Sequence, residues 1–253
     1  MMKQAALALL ALAFLSACTS SAAVREYERR VDRVLQSAPG KAQPSKIVAR
    51  EIAFARTARE DGQWTAYREF AGSAARIHLA DGVVEAGSWL SGRPDPAEAI
   101  QWNPRLVWMS CDARNAVSRG RYVDGEGRVG TYVTVWESDD GEDYEWVYNT
   151  MALDDPQPAP AQQAEEGLIL VTAPELVSGR VTDCPGSANP LPEQPDGIVP
   201  APASTGSGRS ADGALTWRWM QYDSGERAIA VDAVTGGAWE RVIDQRWPTG
   251  SPR

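Results

Sequence analysis

The stretch 127–149, GRVGTYVTVWESDDGEDYEWVYN, constrains the fold more than any other part of the chain. Thr131, Val133 and Val135 alternate there with Tyr132, Thr134 and Trp136, the two-residue period of a β-strand. Ser138-Asp139-Asp140-Gly141 turns the chain and 145–149 brings it back. Aspartate and glycine between two β-branched and aromatic runs predict a β-hairpin. The chain must therefore build an antiparallel sheet around this segment.

Residues 1–18 have the layout of a targeting segment and are set aside from fold reasoning. Lys3 supplies a short basic start, and 5–15 form an apolar run too short to span a bilayer as a helix. Leu15-Ser16-Ala17-Cys18 resembles the lipobox of bacterial lipoproteins, in which the cysteine is acylated and becomes the mature N-terminus. An ordinary secretory signal containing a cysteine is the alternative. On the lipoprotein reading Cys18 is the lipidation site and the lipid holds the protein to the membrane, on the periplasmic side of a bacterial envelope. Thr19, in place of the aspartate that retains enterobacterial lipoproteins at the inner membrane, implies the outer membrane. The balance of 25 Lys+Arg against 34 Asp+Glu, net −9, argues against nucleic acid and against docking on anionic lipid by charge. The 43% of hydrophobic residues is enough for a packed core.

Further along, 24–38 carries Val24, Tyr27, Val31, Val34 and Leu35 at helical spacing with charges opposite, an amphipathic helix that docks either on its own domain or on a second copy. Pro-Gly at 39–40 and Pro44 break it. A second helix is expected over 47–61, capped by Ser45, with a stripe of Val48, Ile52, Ala55 and Ala58 widened by Ile47 and Phe54. A third covers 63–71. A strand at 75–80 turns at Asp81-Gly82. Asp95-Pro96-Ala97-Glu98 reads as the start of a short helix, closed by Asn103-Pro104. Strands at 106–111 and 116–123 lead into the hairpin.

Residues 45–150 thus read helix, helix, strand, short helix, then four antiparallel strands. The run Ala49-Arg50-Glu51-Ile52-Ala53-Phe54-Ala55-Arg56 up to Gly62, with Phe70, Trp89-Leu90, Trp102-Asn103-Pro104 and Gly130-Thr131-Tyr132-Val133-Thr134-Val135-Trp136, resembles the nuclear transport factor 2-like fold. Its bacterial branch includes SnoaL-type cyclases, ketosteroid isomerases and envelope proteins. The resemblance covers about 105 residues and implies an α+β class: a curved antiparallel sheet packed on helices, a cystatin-like cone. It would draw a pocket lining from Trp64, Tyr67, Phe70, Trp89, Trp102, Trp108, Tyr122 and Trp136. Such rings either bind an apolar or ring-shaped ligand or fill the cone themselves. Isomerase chemistry would need an aspartate base with a tyrosine and a protonated acid as oxyanion donors. Asp112, Tyr122, Glu85 and Tyr67 are the nearby residues of those types, and none sits in a recognisable motif.

Beyond the cone, 151–210 reads as a Pro/Gly-rich linker with short strands at 168–172 and 177–182 and a loop over 185–210. Strands at 215–222, 227–234 and 238–243 form a three-stranded β-meander within 211–247. The chain accordingly divides into leader 1–18, helix and linker 19–44, cone 45–150, linker 151–210 and meander 211–247.

Other chemistry is sparse. His78, the single histidine, would share a strand face with Arg76 and Ala80, either as a general base or, as expected here, solvated. Gly125-Glu126-Gly127-Arg128-Val129-Gly130 matches G-x-G-x-x-G literally but precedes a strand, where a dinucleotide motif must follow one. One histidine and three cysteines make no metal constellation, and no cofactor motif occurs. With Cys18 acylated, Cys111 and Cys184 remain in an oxidising compartment and are expected to pair, the alternatives being two buried thiols or an intermolecular bridge. The expected function is non-catalytic binding of a small apolar ligand or an envelope partner, with homodimerisation open; the alternative is an isomerase, cyclase or dehydratase using an acid–base pair in the cone.

Overall fold

The structure, a computed structural model, describes residues 42–158, 176–186, 190–194 and 202–248. The leader, Cys18, the 24–38 helix and the 168–172 strand lie outside the described residues. The class is α+β and mostly sheet. In chain order the elements are α1 (Pro44–Glu60), α2 (Gln63–Phe70), β1 (Ala71–Leu79), β2 (Gly82–Glu85), α3 (Ala86–Leu90), β3 (Gln101–Met109), β4 (Asn115–Val123), β5 (Val129–Glu137), β6 (Glu145–Leu153), β7 (Ser178–Val181), β8 (Ser204–Arg209), β9 (Leu215–Gln221), β10 (Arg227–Thr235) and β11 (Ala238–Trp247). Two sheets result, one ordered β2-β1-β6-β5-β4-β3-β7 and one ordered β11-β10-β9-β8. In the first, β1 runs parallel to β6 and β7 parallel to β3, and the other pairs are antiparallel.

The predicted hairpin is β5–β6, with Thr134 opposite Asn149 and Val135 opposite Tyr148. Its alternation builds two cores. Tyr132 and Trp136 face the helices and pack with Ile47, Phe54, Tyr67 and Phe70. Val133 and Val135 face the other way and pack with Leu215, Trp217, Ile229 and Val231 of the second sheet. The C-terminal strands therefore form a separate sheet laid face to face on the first, and β5 is buried on both sides.

Several expectations are corrected. The C-terminal sheet has four strands, not three. β8, STGSGR, falls in the expected loop and has Thr205 as its one strand-forming residue, but its glycines leave room for indoles. A Cβ on Gly208 would come within 2.1 Å of Trp217, and one on Gly206 within 2.6 Å of Trp219. The buried stripe of α1 is Ile47, Glu51, Phe54, Ala55 and Ala58, rotated from the apolar stripe because Glu51 points inward and leaves Ile52 53% exposed. α1 starts at Pro44, three residues ahead of the expected start at 47, and its cap position is Gln43, two ahead of the expected cap Ser45. No helix starts at Asp95. Its carboxylate caps α2 instead, accepting from the Trp64 and Thr65 N–H groups and from the Thr65 hydroxyl. The short helix is α3, capped by Glu85 through the Gly87 and Ser88 N–H groups.

Cys111 and Cys184 lie at disulfide distance, Cα atoms 5.2 Å apart across 73 residues of sequence. Beside them, Ser110-Cys111-Asp112-Ala113-Arg114-Asn115 and Ser210-Ala211-Asp212-Gly213-Ala214-Leu215 form two turns of the same design. In each the serine hydroxyl donates to the aspartate, and the aspartate accepts the N–H two residues on (Arg114 and Ala214, both 3.0 Å). In each the residue after the aspartate is left-handed, Ala113 at φ 63° and Gly213 at φ 77°. The turns then clasp one another: Asp112 N–H donates to Asp212 and Asp212 N–H to Asp112, each at 3.0 Å.

Candidate functional site

The space between helices and first sheet is filled by side chains. Phe54 stands at its centre, with ring centroids 4.9 Å from Tyr67, 4.9 Å from Phe70 and 4.8 Å from Trp102. Beside it Glu51 is buried, accepting from Trp102 Nε1 at 2.9 Å, the Ser118 hydroxyl and the Tyr132 hydroxyl at 3.3 Å. Burial pushes its carboxyl above the ordinary range, and these hydrogen bonds oppose the push. Burial likewise raises the Tyr67 and Tyr132 phenols. The void left among Phe54, Tyr67, Trp102, Tyr122 and Tyr132 is about 10 Å³, room for about one water.

The open space lies at the mouth. A cavity of about 510 Å³ is walled by Trp64, Leu79, Trp89, Ile100, Tyr122 and Met151, within the range of small-molecule sites. Two local devices position its tryptophans. Asp95 holds the first turn of α2 and with it Trp64; Glu85 holds the first turn of α3 and with it Trp89. The two indoles meet edge to face, centroids 5.2 Å apart at 88°. Hydrogen bonds from Ser88 keep the exposed Glu85 carboxyl below its usual range.

Of the residues singled out for a pocket, Trp64, Trp89 and Tyr122 line this cavity. Tyr67 and Trp102 border only the small void, and Phe70 and Trp136 are packed in the core. Trp108 is corrected to the opposite face, between the two sheets: the register shift between Pro104 and Leu106 switches the alternation of β3, so that Trp102 faces the helices and Trp108, six residues on, faces away from them. Of the acid candidates, Glu85 is a helix cap and Asp112 a turn residue, and neither borders the cavity. His78 is not solvated. It is 1% exposed, because the second sheet covers its face. Its Nε2 lies 2.9 Å from Gln221 Oε1 and its Nδ1 2.7 Å from the Tyr148 hydroxyl. An amide oxygen only accepts, so Nε2 carries the proton and Nδ1 accepts from Tyr148.

Sequence reading passed over two charged residues here. Glu51 interrupts an apolar helical stripe, and Arg227 shares a strand face with Ile229, Val231 and Ala233. A charge at a core-facing position was the available signal in both cases. Among the described residues no helix is long and apolar enough to cross a membrane. Compared with known proteins, the chain matches no family model and no curated protein.

Proposed function

We propose that this is a lipid-anchored periplasmic protein of the bacterial envelope, held at the outer membrane by an acyl group on Cys18, whose nuclear transport factor 2-like cone binds a small, largely apolar molecule without transforming it. The observation that carries the reading is the aromatic-walled cavity of about 510 Å³ at the mouth of an otherwise filled interior. The order helix, helix, hairpin, short helix, four strands supports the cone.

The test uses the chain purified with Cys18→Ser, so that no acyl group competes for the cavity. A neutral probe, N-phenylnaphthylamine, is expected to bind with enhanced fluorescence. Trp64→Ala and Trp89→Ala are each expected to weaken it about tenfold or more, as for truncation of a buried aromatic anchor. A chain that does not take up the probe, or variants that bind it unchanged, would remove the reading. The same Cys18→Ser change is expected to move the protein out of the membrane fraction.

The isomerase, cyclase or dehydratase alternative has Glu51 in its favour, a buried acid with a raised pKa ringed by hydroxyl and indole donors. A substrate beside it would need more than about 10 Å³. Turnover of a ring ketone that disappears in Glu51→Gln would replace binding by catalysis.

A further inference from the structure

Both sheets contribute to the wall of the cavity. Trp64, Trp89 and Tyr122 come from the helices and the first sheet, and Arg227 reaches it from the first residue of β10, opposite Gln221 and Trp247. Six charged side chains line the space, and their placement is uneven. Asp124 and Glu126 at the rim both pair with Arg128, at 2.8 and 3.3 Å. The Arg93 guanidinium carbon lies over the Trp89 ring, 3.7 Å from its centroid, and Glu98 is exposed. Arg227 alone is buried, 4% exposed. Its Nη2 donates to the Met151 carbonyl at 2.6 Å and its guanidinium stands 5.5 Å from the Trp247 ring. At Tyr122, burial drives the phenol upward, the Asp124 charge adds to the rise, and the Arg227 charge works against both.

Resting on the reading of this cavity as a binding site, we propose that its ligand is an amphipathic anion. The apolar body lies against Trp64, Trp89 and Ile100, and the acidic end is buried toward Arg227, with the Tyr122 hydroxyl as a second donor. A guanidinium offers a planar set of donors that matches a carboxylate, phosphate or sulfonate, and Coulomb attraction strengthens as water is excluded. A cationic end in the same place would meet a buried like charge. A neutral end would keep the apolar contacts and gain nothing from the arginine. The acids of the rim do not reverse this preference, because two of the three are engaged by Arg128 and the third is solvated.

The experiment displaces N-phenylnaphthylamine from the Cys18→Ser chain with three ligands that differ only at one end: dodecanoate, dodecanol and dodecyltrimethylammonium, each below its micellar concentration. Dodecanoate is expected to bind about tenfold or more tighter than dodecanol, the scale of a charge-assisted hydrogen bond, with the ammonium weakest. Arg227→Met is expected to bring dodecanoate down toward dodecanol, and Arg227→Lys to recover part of the difference. If either variant fails to fold, the series on the unsubstituted cavity decides alone. Equal affinity for dodecanoate and dodecanol overturns the anion inference while leaving apolar binding intact. Failure of all three to displace a bound probe overturns the inference, and failure of the probe itself to bind overturns the cavity reading beneath it.

Discussion

At the scale of single residues, two buried titratable groups, His78 and Glu51, pull stability in opposite directions with pH. Burial drives the His78 imidazole down from 6.5 to about 4, against the hydrogen bond it donates to Gln221, which works the other way. Between those values the unfolded chain binds a proton that the folded chain refuses. The stability tied to neutral His78 is therefore complete above pH 6.5 and is lost as pH falls toward about 4. It amounts to on the order of 3 kcal/mol. Urea unfolding across that window is expected to show the fall, and His78→Asn is expected to flatten it. Glu51 has the opposite sign: its raised carboxyl adds stability at acid pH that is lost as pH rises through the folded value. Alternation along β1 placed His78 on the correct face, but it could not say what covers that face. The cover is a sheet whose contact residue, Gln221, is 143 positions away. Glu51 was legible in principle, since Ile47, Glu51, Phe54, Ala55 and Ala58 share one helical stripe. A charge there reads as an interruption until its three partners, on β3, β4 and β5, are in place.

At the scale of elements, strands with strong formers were legible and those built from small residues were not. β5 and β10 announce themselves by alternation. β8 does not, because its pairing depends on what its glycines lack rather than on what its side chains offer. Gly208→Ala is therefore expected to destabilise the second sheet by about 1–3 kcal/mol, the cost of forcing a methyl group into a filled space. The urea midpoint should fall, and limited proteolysis should open the chain near 204–209. A Gly208→Ala protein as stable as the parent would mean that β8 contributes nothing to the sheet. Capping was legible as chemistry but not as address. Asp95 was recognisable as a cap, yet the helix it caps lies 30 residues upstream of it. A side chain that accepts N–H groups can serve whichever exposed helix start the fold brings beside it.

At the scale of the whole molecule, three of the links that fasten the second half of the chain to the first join it as units rather than by single side chains. One is the apolar interface between the sheets. Another is the run through β7, which pairs with β3 and ends at Cys184. In the chain-entropy view a bridge closing 73 residues stabilises by about 4 kcal/mol. The third is the clasp of the two serine–aspartate turns. Pairing of the cysteines was readable from their number and the expected compartment, whereas the clasp was not: a Ser-x-Asp turn is common, and only the fold shows that two of them meet. Its two-fold geometry has a consequence in time. Neither half of the clasp can be made until both hairpins exist and have met across 100 residues of sequence. Contacts with that requirement are made after the barrier rather than before it. Asp112→Ala and Asp212→Ala should therefore leave the refolding limb of a chevron unmoved and speed unfolding by similar factors. The double substitution should speed it more than either single one, because each single change removes one carboxylate acceptor and leaves the opposite N–H to carboxylate bond in place. The joint would then act as a latch that sets how long the folded protein lasts, not how quickly it forms.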